Sequence, residues 1–465
     1  MIPIVVEGTP EFDARLASLR SRGSDDLSAV MPAVREIIAD VRRNGDEAVR
    51  RYVEVFERRA PTPPFVRDYG GAEALARIDA DTRAALELAA ERIAAYHERQ
   101  LDSGYRYESE GVTLGLRVRP LRRVGVYAPG GKARYPSSVL MAAVPARVAG
   151  VKEIILASPA PDDTVRAAAH LAGVTGLLDA GGAQAVAALA YGTGTVPRVD
   201  KVVGPGNVYV ACAKRLVFGD VDIDGIAGPS EVLVLADASA DAELVASDLV
   251  SQAEHDEYAA PLICTTSQLL ARQVVQRIEE LLASLPRRTI AKASVDRRGV
   301  VLVVASRERM LEVADEVAAE HVAVHLERAE EAAEALHAAG AIFVGPSTPV
   351  AVGDYLAGPS HVLPTGGCVR FGSPLGVYDF VVRSSIIAYS PEALARHAPH
   401  VAVLARAEGL EGHARSVELR VGAREPPSSA RSTPPRGFTG IPRPSTPAPP
   451  DTESGVSVSP RESDP

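Results

Sequence analysis

The sequence predicts an α/β protein with two α/β lobes, each holding a mostly parallel sheet. Helices precede the lobes; a helical arm and a disordered tail follow them. Three observations carry this expectation. After Arg117, short β-type runs alternate with helical stretches as far as AIFVG. Such alternation implies right-handed crossovers and parallel pairing. The 465 residues also exceed one core, since a domain takes roughly 100–200 residues. From about Arg424, finally, the chain turns rich in Pro, Ser and Thr. Its apolar residues there are too few to offset the entropy of ordering it.

The elements follow in order. VREIIADVRRNG has apolar positions at helical spacing and ends at Gly45, after which Asp46 is placed to cap DEAVRRYVEVFE. ADTRAALELAAERIAAYHERQL reads as a third long helix. RVGVYAP opens the alternating region, followed by helix SSVLMAAVPARVAG, strand EIILAS, helix TVRAAAHLAG, strand GLLDA, helix AQAVAALAYG and strand KVVG. EVLVLAD closes that stretch. A second series runs from helix ADAELVASDLVSQAEHD through strands APLICTT, VVLVVAS, HVAVHLE and AIFVG, with helices between them. PEALARHAPHVAVLARAEG supplies the arm.

Composition excludes several functions. The net charge of −10 argues against a nucleic-acid binder relying on bulk charge. The tail is neutral, so the acidity belongs to residues 1–423. No charge-free apolar run reaches the ~18 residues of a membrane span. The N-terminus lacks a basic start followed by an apolar core, so no signal peptide is expected. The three cysteines, Cys212, Cys264 and Cys368, form no CxxC pair or disulfide framework, as suits a reducing compartment. None sits in a convincing nucleophile setting.

Three Gly-rich turns, YAPGGKARYPSS, DAGGAQAV and VGPGNVYV, end strands. Ligands of open α/β sheets bind where strand ends meet helix N-termini. Any one turn suits an ordinary tight bend. Three in one lobe point to a nucleotide or another anionic ligand, without choosing between NAD and ATP. In SQAEHD, Gln252 and His255 stand three apart on one helix face, as zinc ligands or as plain surface residues. Glu320 and His321 adjoin at a helix-to-strand junction, a pairing suited to acid–base work near neutral pH. His321 and His325 share a face, so a metal pair is also conceivable. Asp354 and His361 lie in an irregular Gly/Pro loop, a typical place for a site. Glu408 and His413 follow late in the chain. Neither HExxH nor GxSxG is present.

The longer strings RVGVYAPGGKARYPSSVLMAAVPARVAGV, GGAQAVAALAYGT, VDKVVGPGNVYVACAKR, IAGPSEVLVLAD, SDLVSQAEHD, GDYLAGPSHVLPTGG and GVYDFVVRSS closely resemble histidinol dehydrogenases. The similarity runs collinearly from about residue 30 to about residue 420. It implies two Rossmann-like lobes and an NAD- and zinc-dependent oxidation of L-histidinol to L-histidine through histidinaldehyde, the last step of histidine biosynthesis. It would make Gln252, His255, Asp354 and His413 the ligands of one zinc per subunit. Glu320 would activate water and His321 would serve as general base. Ser230, His361 and Glu408 would contact substrate, as would the zinc ligands and His321. Tyr127, Gln184 and Asn207 would contact NAD. The resemblance further implies a cytoplasmic homodimer, with Glu408 and His413 supplied by the partner subunit. A family paralogue acting on another small alcohol, such as a hydroxysulfonate, is the alternative.

The expected organisation is an N-terminal arm over 1–25 and a discontinuous first lobe over 26–122 and 238–380. A second lobe over 123–237 carries the nucleotide-contacting turns. The arm and dimer-exchanged segment span 381–423, and the tail spans 424–465. Three departures from the family pattern stand out: Ser360 where Asn is common, Gly225 where a larger apolar residue is usual, and the segment FERRAPTPPF. Truncation after Val421 should leave activity and dimerisation unchanged, as measured by turnover and by sedimentation.

Overall fold

The computed structural model describes residues 2–22, 26–60, 64–130, 134–226 and 228–422. The tail over 424–465 lies outside the described residues. The chain divides into two compact units, one of Met1–Tyr107 with Leu114–Ile387, the other of Glu108–Thr113 with the chain from Ala388.

The first unit holds two six-stranded sheets. One runs in spatial order Ile4–Val6, Val300–Val303, Ala260–Thr265, Glu231–Ala236, His321–His325 and Ala341–Val344. Every pairing in it is parallel. The other runs Phe65–Val66, Gly176–Leu178, Glu153–Ala157, Arg123–Tyr127, Lys201–Val203 and Asp222–Ile223. It is parallel except at its Phe65–Val66 edge. Central strands such as Glu231–Ala236 and Ala260–Thr265 are buried along their whole length, as a sheet covered by helices on both faces requires. Each sheet accordingly separates two apolar clusters.

Sheet membership departs from the expected division in three places. Glu231–Ala236, read as closing the lobe over 123–237, is a central strand of the other sheet. The helices of the segment over 26–122 pack on the lobe of strand Arg123–Tyr127, with Asp26–Tyr52 against Gly182–Tyr191 and Val208–Val217. The arm over 1–25 supplies edge strand Ile4–Val6 and helix Pro10–Arg20 to the first sheet's lobe. The reason is physical: alternation fixes strand direction, but the same apolar run completes either sheet. A three-stranded sheet of Val381–Tyr389, Val112–Pro120 and Tyr105–Ser109 also escaped the sequence reading. Tyr105–Ser109 is exposed throughout and shows no buried face.

Gly45 breaks the Asp26–Tyr52 helix with a φ of 53°, where the sequence placed the end. Asp46 is occupied elsewhere, accepting from the hydroxyls of Thr193 and Thr195. The second unit pairs helices Pro391–Ala407 and Glu411–Gly422 over a small core of Ala402, Ala405 and Ala414. Arg406 ties them through Glu411 at 2.9 Å and Glu418 at 2.8 Å.

One turn shows how the fold fixes its loops. Gly204 follows strand Lys201–Val203 with a φ of +112°, and a side chain there would strike the Tyr127 carbonyl. Its N–H donates to Asp224 Oδ2 at 2.7 Å, and its carbonyl accepts from Lys214 Nζ at 3.0 Å. Lys214 and Asp224 are themselves a buried ion pair. Lys214→Met leaves Asp224 buried and unpaired, and should cost about 3–5 kcal/mol, read from urea unfolding.

Candidate active site between two sheet ends

Each sheet changes direction of chain progress once. In the second sheet this happens between Arg123–Tyr127 and Lys201–Val203, whose carboxyl ends lead into the turns after Tyr127 and Val203. A crevice at such a point is the usual ligand position of an open α/β sheet. Tyr127 and Gln184 are both buried beneath the turns. The Tyr127 hydroxyl accepts from Gly182 N at 3.1 Å, and burial pushes it up to about 12. Asn207 is exposed and caps helix Val208–Val217, its Oδ1 accepting from Tyr209 and Val210 N–H. Beside these turns a cleft of about 210 Å³ is lined by Pro129, Gly130, Arg134, Ser158 and Pro159. Glycine backbone, helix N-termini and an open cleft suit a phosphate-bearing ligand.

The acid–base candidates come from the opposite end of the first sheet. Glu320 and His321 sit at the amino end of strand His321–His325, where Ala318 turns the chain out of helix Arg307–Val317 with a φ of 49°. Glu320 Oε2 accepts from Glu231 N at 2.8 Å. His321 Nδ1 lies 2.9 Å from the Glu231 carbonyl. A carbonyl only accepts, so Nδ1 carries the hydrogen and Nε2 keeps its lone pair. Glu320 and His321 approach to 3.6 Å. Burial raises the Glu320 carboxyl well above its ordinary value, and Glu231 and Asp354 add to that by repulsion. Burial lowers His321, favouring the neutral ring whose Nε2 lone pair is free. Ser230 reaches Glu320 with its side chain. A Cβ at Gly340 would lie 2.5 Å from the Glu320 carbonyl oxygen, so only glycine fits behind the pair.

Asp354 links this pair to the other lobe. His361 Nδ1 donates to the Asp354 carbonyl at 3.0 Å, and its Nε2 meets Ser138 Oγ at 3.2 Å. Ser138 lies in the first turn of helix Pro136–Val148, directly beyond the second sheet's carboxyl end. His361 thereby joins the helix that follows strand Arg123–Tyr127 to the Asp354 backbone. Burial lowers His361, with the Asp354 charge opposing it.

The metal-ligand candidates meet the same carboxylate. His255 Nε2 stands 4.0 Å from Asp354 Oδ2. Two donors each about 2.0–2.2 Å from a tetrahedral ion lie about 3.3–3.6 Å apart, within a small side-chain adjustment. Gln252 is buried at the end of helix Ala242–Ala253. His255 lies in the turn beyond that helix, so the expected shared helix face is instead a turn closed by His255 N on the Gln252 carbonyl at 3.3 Å. An imidazole, a carboxylate and an amide form a donor set that fits zinc with room for further ligands. Among the described residues no group of three His, Cys, Asp or Glu clusters as a metal site. His321 and His325 are four residues apart on one strand, about 13 Å at 3.3 Å per residue, too far to share an ion. His325 Nε2 instead meets Asp248 at 3.1 Å. Glu408 and His413 belong to the second unit, where both are exposed.

Of the three departures, FERRAPTPPF includes residues 61–63, which lie outside the described residues. Ser360 is buried and donates to the Met141 carbonyl at 2.9 Å, tying the loop to a helix. Gly225 faces open space. Glu57 of FERRAPTPPF accepts from Gly181 N at 2.8 Å, and Arg59 bonds Asp179. Cys212 and Cys264 are buried, and burial pushes both thiols up, so neither is a ready nucleophile. The sequence reading missed Glu231, Ser138 and Arg22. Glu231 adjoins Ser230 in the string IAGPSE, but its backbone groups carry no mark in sequence.

Residues 20–421 match the family described as histidinol dehydrogenase. A histidinol dehydrogenase of Syntrophotalea carbinolica is 49% identical, over 88% of this chain and 97% of its own. One from Aquifex aeolicus is 48% identical over the same shares. The crystal structure of a histidinol dehydrogenase from Elizabethkingia anophelis superposes with a TM-score of 0.84 at 31% identity, covering 90% of this chain and 98% of that one.

Glu320 also makes stability depend on pH. Its carboxyl is raised on folding, so the native state holds a proton that the unfolded chain releases. The contribution is complete below the unfolded value near 4.5 and declines as pH rises toward the folded value. Glu320→Gln stays neutral throughout, so its unfolding free energy should gain on wild type between pH 5 and pH 8. Urea titrations at the two pH values read the difference, and parallel curves would contradict it.

Proposed function

The chain belongs to the histidinol dehydrogenase family, and from that premise we propose that it oxidises L-histidinol to L-histidine with two equivalents of NAD, the closing step of histidine biosynthesis. The observation that carries this reading is the Glu231 peptide, which holds the Glu320 carboxyl and the His321 imidazole side by side. Zinc would be held by Gln252, His255 and Asp354, with His413 of the partner subunit. Bound zinc supplies a Lewis acid that orients the substrate's amine and imidazole, and NAD supplies the hydride acceptor.

The chain's own groups handle protons and position. His321 Nε2 takes the hydroxyl proton as hydride leaves the alcohol carbon. The aldehyde then needs water, because oxidation to an acid requires a hydrate. In its ionised form Glu320, a stronger base for its raised pKa, takes a proton from that water as its oxygen attacks the carbonyl carbon. Protonated His321 returns its proton to the carbonyl oxygen, leaving a hydrate and a free Nε2. His321 takes the hydrate's proton as the second hydride departs. Ser230, His361 and Glu408 would fix the substrate, since orientation is worth several kcal/mol of barrier, about 7–11 at the limit. Tyr127, Gln184 and Asn207 would contact NAD, Tyr127 and Gln184 from buried positions and Asn207 from the surface.

A homodimer completes the site in this reading. The second unit exposes Val403, Leu404 and Leu419, each about two-thirds accessible, above a core of three alanines. Another copy covering that surface would bring Glu408 and His413 to the site. The expected compartment is the cytoplasm; among the described residues no helix is long and apolar enough to cross a membrane.

Purified protein with zinc, NAD and L-histidinol should produce two NADH per histidinol consumed, followed at 340 nm. One NADH per substrate, or turnover of a hydroxysulfonate in its place, would refute the four-electron reading. His321→Asn should lower turnover about 10²–10⁴-fold while zinc content, measured by atomic absorption, stays near wild type.

A further inference from the structure

The peptide of Glu231 registers both acid–base candidates, which raises the question of what registers Glu231. Its strand pairs Val232 with His321 on one side and Glu231 with Ala260 on the other. Pairing sets its position along the sheet. Its side chain, however, is a buried carboxylate close to Glu320, whose charged form it repels, as Asp354 also does. Without a cation this cluster would push itself apart.

Arg22 supplies that cation. Its side chain is 6% exposed and that of Glu231 5%. The guanidinium meets Glu231 through two nitrogens, Nε on Oε1 and Nη2 on Oε2 at 2.9 Å. The same Nη2 donates to the carbonyls of Val317 at 2.6 Å and Ala318 at 3.3 Å. Those carbonyls end the helix that delivers Glu320 two residues later. A further nitrogen holds the Leu19 carbonyl at the end of the first helix. One planar group thus binds the residue that touches Glu320 and His321, and also the backbone from which both emerge.

We propose that Arg22 is a positioning residue for catalysis: through the Glu231 carboxylate and the 317–318 carbonyls it holds Glu320 in place and His321 in its Nδ1–H tautomer. This rests on the reading of Glu320 and His321 as the acid–base pair. Lysine cannot replace it, because a point ammonium does not present a rigid fork to a carboxylate and two carbonyls at once.

Arg22→Lys in the full-length protein tests this. The variant should keep its circular dichroism, and its KM for histidinol should stay within about twofold. Its kcat should fall about 10–10²-fold, as for a reacting group displaced by about 1 Å. In the substrate-free protein, ¹⁵N-histidine spectra, with His321 assigned through His321→Asn, should change from one tautomer to a mixture. A folded Arg22→Lys with wild-type kcat and an unchanged tautomer overturns the proposal. So does an equal loss in kcat and KM with the tautomer unchanged. If lysine costs the fold, the double variant R22M/E231Q removes both charges and carries the same expectations and the same refutation. Glu320→Gln and His321→Asn run beside it separate the two layers. If they keep turnover, the acid–base reading falls, and the positioning role with it. If they lose turnover while Arg22→Lys keeps both its turnover and its tautomer, the positioning role alone falls.

Discussion

Two hydrogen bonds at Glu231, one given by its N–H and one taken by its carbonyl, set the orientation of Glu320 and His321. These bonds exist only if two strands far apart in sequence lie in one register. A slip of one residue would turn every side chain of strand His321–His325 to the opposite face. The register is secured by burial on both faces and by parallel neighbours on both sides. The site's geometry is in this sense a by-product of a well-packed sheet. The helices on its faces, the N-terminal strand at its edge and Gly340 behind Glu320 all serve that packing.

Charge is the second constraint. Three carboxylates, those of Glu231, Glu320 and Asp354, gather in one low-dielectric region. Each is accommodated differently. Glu231 has an arginine against it. Glu320 is biased toward its neutral form by burial. Asp354 faces His255 and His361 at 4.0 and 3.9 Å, close enough for electrostatic coupling and too far for direct hydrogen bonds. Three carboxylates thus acquire three distinct environments, so that neighbouring groups of one chemical type need not share one protonation state.

Much of this was legible in the sequence. The alternation of apolar runs and helical stretches indicates two parallel-sheet lobes, and Gly45 and the Gly-rich turns are punctuated where the chain bends. Glu320 and His321 stand out at a helix-to-strand junction, and Asp354 and His361 in a Gly/Pro stretch read as an irregular loop. The structure folds Asp354 into the short helix Val350–Tyr355 instead, and brings all four to one place. What the sequence hides is long-range. Strand Glu231–Ala236 looks like any other buried strand, so its sheet could not be assigned. Glu231 acts through backbone atoms that every residue has. Arg22 is one arginine among many until the fold sets it 209 positions along the chain from its carboxylate. The His255 turn differs from the expected helix face because the helix ends two residues earlier, at Ala253.

The turn after strand Lys201–Val203 has a bearing on the medium in which the protein works. Its shape is set by Lys214 and Asp224, whose side chains are only 2% and 6% exposed. Counterions reach surface pairs such as Arg77 and Asp163, whose attraction fades over a Debye length of about 8 Å at physiological ionic strength. They do not reach the pair under Gly204. The attraction that anchors the loop at the mouth of the second sheet is therefore shielded from bulk salt in a way that the pairs on the protein's surface are not.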